Sequence, residues 1–304
     1  MSLLKRFSLA GIAGIAGTGM LMSATAVADD VNCPPDLGAV EIDGNVLVAA
    51  PCRLDGTTVK GSVELFAGGS LTAVNATIIG NIQATTADFI DVDSSEINGS
   101  IQLDDTVGTV NRVANSTVGG SVQQSSSLSR LELTGNVIGA DVQAFSNAAE
   151  VVVDDNEITG SVQLEGVQGA TSRVSNSTVN GSIQLSDNSS RLEIAANTIG
   201  ADAQAFGNTG GVTIADNVID GNLQCKENDP APTGGNNQVS GNKEDQCANL
   251  VPGGGAASAG GPVVSNSASG SPPAGASSGG GAAGPLFAAL ALLPLLRRIR
   301  KVVA

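Results

Sequence analysis

Short polar–apolar alternations recur along most of the chain. Ser161–Leu164 reads Ser-Val-Gln-Leu and Arg191–Ile194 reads Arg-Leu-Glu-Ile, the period of two shown by half-buried strands. Asn and Gly, which tolerate left-handed bends, separate these segments. No stretch of the repeat region keeps a helical period. Aligned on the Gly of Gly-Ser-Val-Gln, the pattern returns every 19 to 21 residues at Gly61, Gly80, Gly99, Gly120, Ala140, Gly160, Gly181, Ala201, Gly221 and Gly241. Three residues later stands a polar column: Glu64, Gln83, Gln102, Gln123, Gln143, Gln163, Gln184, Gln204, Gln224 and Glu244. A second column precedes the Gly by four or five residues: Asn75, Ser95, Asn115, Asn136, Asn156, Asn176, Asn197, Asn217 and Asn237. Residues 112–145 match 173–206 at an offset of 61, the mark of a duplicated three-coil block.

A unit of this size cannot bury its apolar face alone, but a stack of units can. The pattern therefore predicts an all-β fold: a single-stranded right-handed parallel β-helix (solenoid) of about 10 coils, roughly 45–50 Å long at about 4.8 Å per coil. The strict hexapeptides of left-handed β-helices are absent. The expected core is thin and aliphatic, built from Val, Ile, Leu and Ala, with Phe145 and Phe206 in equivalent places of the two blocks. Asn115, Asn136, Asn156, Asn176, Asn197 and Asn217 read as a ladder that stacks along the axis and satisfies backbone groups at the bends. If Val162 and Leu164 point inward, Gln163 points outward. Gln83 to Gln224 then form a polar row that either stabilises the sheet by amide bonds or matches a regular partner: another rod, a glycan or ice. The Thr residues are not expected to line up in the flat rows that ice binding uses.

The ends carry different signals. Residues 1–28 hold Lys5 and Arg6, an apolar run from Leu9 to Met22, and Ala26-Val27-Ala28. That is a secretory signal peptide, with cleavage by signal peptidase expected after Ala28; an uncleaved membrane anchor is the alternative. Residues 29–60 are read as an N-terminal cap and 61–248 as the β-helix with its C-terminal cap, with a loop from Glu227 to Gly235 bulging before the last coil. Residues 249–283, rich in Gly, Ala, Ser and Pro, read as a disordered linker. Residues 284–304 are a short hydrophobic segment with a basic end. Four cysteines allow three connectivities, and proximity pairs Cys33 with Cys52 and Cys225 with Cys247. Such staples would blunt the exposed sheet ends of a solenoid and suit an exported protein. A metal or redox role for them would call for CxxC spacing or His, and the chain has neither.

Composition narrows the chemistry. Between residues 29 and 245 lie eight basic and 29 acidic side chains, a net charge of −21. This opposes binding of nucleic acid or anionic membrane by the body. The chain has no His, Trp or Tyr, so serine triads and His-ligated metals are excluded and aromatic sugar platforms are missing. No phosphate-cradling glycine loop is present. Asp104-Asp105, Asp154-Asp155 and Asp91 with Asp93 match neither an EF-hand nor a calcium nonapeptide and read as solvated acidic surface. Arg130 with Glu132 and Arg191 with Glu193 share an outer strand face in both blocks. A pair that repeats reads as surface charge pairing rather than a single carboxylate site. No cofactor is expected.

Gly279-Gly280-Gly281, the apolar run Pro285–Leu296 and the cluster Arg297-Arg298-Ile299-Arg300-Lys301 together resemble the GlyGly-CTERM sorting tails of Gram-negative bacterial proteins. The apolar run is shorter than the roughly 20 residues of a stable span, and its basic cluster would lie inside. The resemblance implies cleavage by a rhomboid-like sorting protease and delivery to the cell surface or medium; a permanent C-terminal membrane anchor is the alternative. Gly61 to Cys247, with its closing GNLQCKEN…DQC, resembles secreted bacterial β-helix repeat proteins of unassigned function, with bactofilin-like and pectin-lyase-like coils. Bactofilins lack an export signal and capping cysteines, so no cytoskeletal role carries over. The expectation is a non-enzymatic exported cell-surface protein with a structural or adhesive role, a glycan or envelope partner, and membrane contact through the C-terminal segment. The alternative is a carbohydrate-active enzyme, a polysaccharide lyase or glycosidase with an unrecognised carboxylate site, for which fold analogy is the only warrant.

Overall fold

A computed structural model describes residues 29–250. The expected signal peptide, the C-terminal hydrophobic segment and all but the start of the linker lie outside the described residues, as do Ala28, Gly279, Gly280 and Gly281.

The described residues form an all-β parallel solenoid of about 10 coils, with sheets of 12, 10 and 11 strands. Consecutive strands go to different sheets, and every strand pairs in parallel with its counterpart one coil away. Gln163 lies beside Gln184, Arg173 beside Glu193, and Thr178 beside Thr198. Residues 29–60 also feed the sheets: Val46–Val48, Pro51–Asp55 and Thr58–Val59 pair with strands of the following coil. The one helical element among the described residues is a 3-10 turn, Gln246–Asn249.

One coil shows why these residues choose this path. Thr171–Ser175, Thr178–Val179 and Ile183–Ser186 are its three strands. Ser172, Val174, Val179, Ile183 and Leu185 point inward and are buried. Each fully buried aliphatic contributes about 1.5–3 kcal/mol of transfer free energy, and the alternation repeats it coil after coil. The resulting core holds Val, Ile, Leu, Ala and Cys but no aromatic ring. Phe145 and Phe206 do take equivalent places, at the outward ends of Val142–Phe145 and Ala203–Phe206.

Each coil turns three corners. At two of them one residue adopts positive φ: Asn176 (51°) and Asp187 (54°) in the coil above. The third carries the aligned Gly, crowded by the preceding coil: a Cβ at Gly99 would lie 2.5 Å from the Gly80 carbonyl oxygen. Ala140 and Ala201 stand in the same column.

Disulfides join Cys33 to Cys52 and Cys225 to Cys247, with Cα atoms 5.5 and 5.1 Å apart. All four cysteines are buried. Two buried disulfides point to an oxidising, extracytoplasmic environment.

Candidate functional site

The corners come first, because they decide which polar residues remain free. A backbone N–H at a corner points along the axis with no strand partner, and a buried N–H must find an acceptor. Here a side-chain oxygen of the neighbouring coil accepts it. At the first corner the Asn136, Ser177 and Asn197 amides donate to the Oδ1 atoms of Asn156, Asn197 and Asn217, at 3.0, 3.0 and 2.9 Å. Ser95 and Ser116 fill the same place in other coils.

Asn115 and Asn176 do not belong to this ladder. They sit one residue earlier, exposed and at positive φ, and Ser116 and Ser177 take the buried position instead. The aligned Asn column therefore merges two sites with different duties: a bend that needs left-handed geometry and a buried acceptor.

The second corner holds a ladder that the column alignment passes over. The amides of Val167, Asn188 and Asn208 donate to Oδ1 of Asn188, Asn208 and Asn228, and the Asn228 amide donates to Gln246 Oε1. Its signal was present: Asn147, Asn188, Asn208 and Asn228 each stand four residues after a Gln of the outer column. At the third corner the residue after the aligned Gly accepts, as Asn81 Oδ1 does from the Ser100 amide at 2.8 Å. A polar cluster also enters the core: Asn111 Nδ2 donates to Gln124 Oε1 at 2.8 Å and to Thr106 Oγ1 at 2.7 Å, all buried.

The glutamine column faces outward from the 12-stranded sheet. Its side chains form a directional chain in which each Nε2 donates to the next Oε1: Gln143 to Gln163 (2.7 Å), Gln163 to Gln184 (2.9 Å), Gln184 to Gln204 (3.0 Å) and Gln204 to Gln224 (2.7 Å). Gln83 joins Gln102, Gln123 joins Gln143, and Gln224 ends the chain on Glu244. The link between Gln102 and Gln123 is missing, and a groove of about 300 Å³ opens at that point. Because these amides reach water, each bond adds about 1 kcal/mol or less. The buried corner bonds matter more for stability, which leaves the outer row available for contact.

The 11-stranded sheet corrects one expectation. Thr58, Thr77, Thr117, Thr178 and Thr198 do line up, in one outward column three residues before the aligned Gly, with Glu96, Val137, Glu157 and Val218 interrupting them. The two charges break any flat hydroxyl row.

The 10-stranded sheet carries the arginines. Arg112 pairs with Asp91 at 2.8 Å, and Arg130 with Glu132 at 3.3 Å. Arg191 and Glu193, the equivalent pair of the second block, form no such bridge among the described residues. Grooves of about 360 and 350 Å³ lie between these side chains, the first lined by Asp91, Arg112 and Glu132 and the second by Arg130, Glu150 and Glu193. Asp154 accepts from Ser175 Oγ at 2.6 Å and from Asn176 Nδ2 at 2.9 Å. The serine bond first, then the asparagine bond and the Arg173 charge, hold its carboxyl below the usual range. A lowered folded-state value stabilises the fold above the unfolded value of about 3.9, and this contribution fades as pH falls through the folded one. Asp154→Asn is accordingly expected to flatten the fall in urea midpoint as pH drops below about 4; an unchanged acid limb would refute the assignment.

Among the described residues, no group of three or more Cys, Asp or Glu is placed to hold a metal ion, and no helix is long and apolar enough to cross a membrane. Comparison with protein-family models, curated proteins and solved structures finds no match.

Proposed function

We propose that this chain is a non-enzymatic, exported structural or adhesive element of the cell surface. The observation that carries the reading is the glutamine row, one side chain type at one outward position in eight successive coils. A repeated contact suits a spacer or a partner with its own period, such as an envelope glycan; catalysis needs one unique constellation. In this reading signal peptidase cuts after Ala28, and a rhomboid-like protease trims the tail at Gly279–Gly281. The alternative, a polysaccharide lyase or glycosidase, requires a pair of carboxylates free to act. In the larger groove Asp91 and Glu132 are already held by Arg112 and Arg130, which favours the structural role.

Mass spectrometry of the native protein from membrane and medium fractions tests the reading. The expected species starts at Asp29, ends near Gly279–Gly281 and carries two disulfides. An intact chain confined to the cytoplasm would overturn it. New reducing or unsaturated ends from a panel of envelope polysaccharides would establish the enzyme instead.

A further inference from the structure

All five arginines of the described residues, Arg53, Arg112, Arg130, Arg173 and Arg191, lie in strands of the 10-stranded sheet. Those strands carry six carboxylates, so the face is close to neutral; the rest of the body has three lysines against 23 carboxylates. Over five successive coils the middle outward column reads Arg112, Glu132, Val152, Arg173, Glu193. Turned end for end, this run of charges is its own complement.

We propose that two copies of the chain associate through this sheet, face to face and antiparallel, about a two-fold axis that runs along the strands at the Val152 row. The axis sets Arg112 against Glu193 of the second copy and Glu132 against Arg173 of the second copy, each twice by symmetry. Val152, only 6% exposed, keeps like charges out of the column's centre. Arg173, Arg191 and Glu193 make no ion pair among the described residues, unlike Arg112 and Arg130. The strands of the other two sheets carry eight carboxylates against two lysines and no arginine, so neither face offers a comparable alternation of Arg and Glu.

Register and area agree. Sliding one copy by one coil sets Arg112 against Arg173, or Glu132 against Glu193. Sliding by three coils restores opposite charges but overlaps fewer strands and leaves Arg173 opposite Thr72. Parallel rods set each charge against itself. The axis also brings Glu150 and Asp154 against their own copies; Arg130 lies beside Glu150 and the Arg173 charge acts on Asp154, which offsets part of that repulsion. The nine strands that overlap in this register, about 4.8 Å apart and about 16 Å long, cover roughly 700 Å² per copy, or about 1,400 Å² in total, the size of a specific interface. The inference goes beyond the proposed role and does not depend on it.

Sedimentation velocity of the purified native chain is the test. A dimer that weakens with salt is expected. Glu132→Arg alone and Arg173→Glu alone should each weaken it by at least about tenfold, because each change breaks two ion pairs. The double exchange should restore it. A chain that stays monomeric at about 100 µM, or a dimer indifferent to both reversals, would overturn the proposal. Rescue by exchanging Arg112 with Glu132 instead would overturn the register. Should the reversals impair folding, Arg112→Cys with Glu193→Cys decides. These positions are four coils, about 19 Å, apart within one chain, too far for a disulfide. Facing sheets lie about 10 Å apart, so a bis-maleimide of about that span should join two copies but not the two positions of one copy, and the absence of a covalent dimer would refute the pairing.

Discussion

Replacing Asn197 by alanine is expected to lower the unfolding free energy by about 3–5 kcal/mol. The side chain is 2% exposed. Its Oδ1 accepts from the Ser177 amide at 3.0 Å, and its Nδ2 donates to the Val174 carbonyl at 2.8 Å and to Asn217 Oδ1 at 3.0 Å. Alanine strands the Ser177 amide and takes a donor from the Val174 carbonyl, at roughly 1–3 kcal/mol for each group left unsatisfied, while Asn217 Oδ1 keeps the Asn197 amide. Asn197→Ser keeps an acceptor, as Ser116 and Ser177 do in other coils, and should cost about half as much. A solenoid opens coil by coil, so amide exchange is the measurement. Protection should fall first at Ser177 and its neighbours and stay high near Leu71. Equal and small losses for alanine and serine would show that packing alone holds the corner.

Removing the C-terminal staple, with Cys225→Ser and Cys247→Ser together, is the second large effect. The bridge spans 22 residues, a closure whose loss costs about 3 kcal/mol in the chain-entropy account. Location makes it worse. Cys225 lies in Leu223–Lys226 and Cys247 in the terminal 3-10 turn, so the bridge pins the last coil over the open edge of the 12-stranded sheet. An edge released there presents unpaired N–H and C=O groups to another chain. The double variant should melt earlier and scatter light as it warms, and the native chain should do the same under reductant. An unchanged midpoint and a clear solution would mean that the last coil is held by its own contacts, among them the Asn228–Gln246 bonds.

Much of this architecture was legible because its information is local. Polar–apolar alternation within three to five residues settles which side chains face inward, and a return every 19 to 21 residues settles that units stack. The outward glutamine row followed from Val162 and Leu164 alone. The cysteine pairing followed from proximity at each end. The duplicated block announced that Arg and Glu would recur.

The rest depends on contacts between coils, which a linear reading cannot rank. Asn115 and Asn136 look alike in sequence, yet a shift of one residue at the corner exposes the first in a left-handed bend and buries the second as an acceptor. The Asn188–Asn208–Asn228 ladder had its spacing in plain sight, but only three-dimensional stacking reveals that these oxygens meet orphaned amides. The threonine column had its alignment too, and only the sheet shows it as a surface. By itself the sequence determined the fold class, the coil period and the two faces of every strand, because alternation and repetition act within one coil. The tertiary structure alone decided which polar side chains are consumed as acceptors and which charges stand beside one another, because axial register turns residues about 20 positions apart into neighbours about 4.8 Å apart.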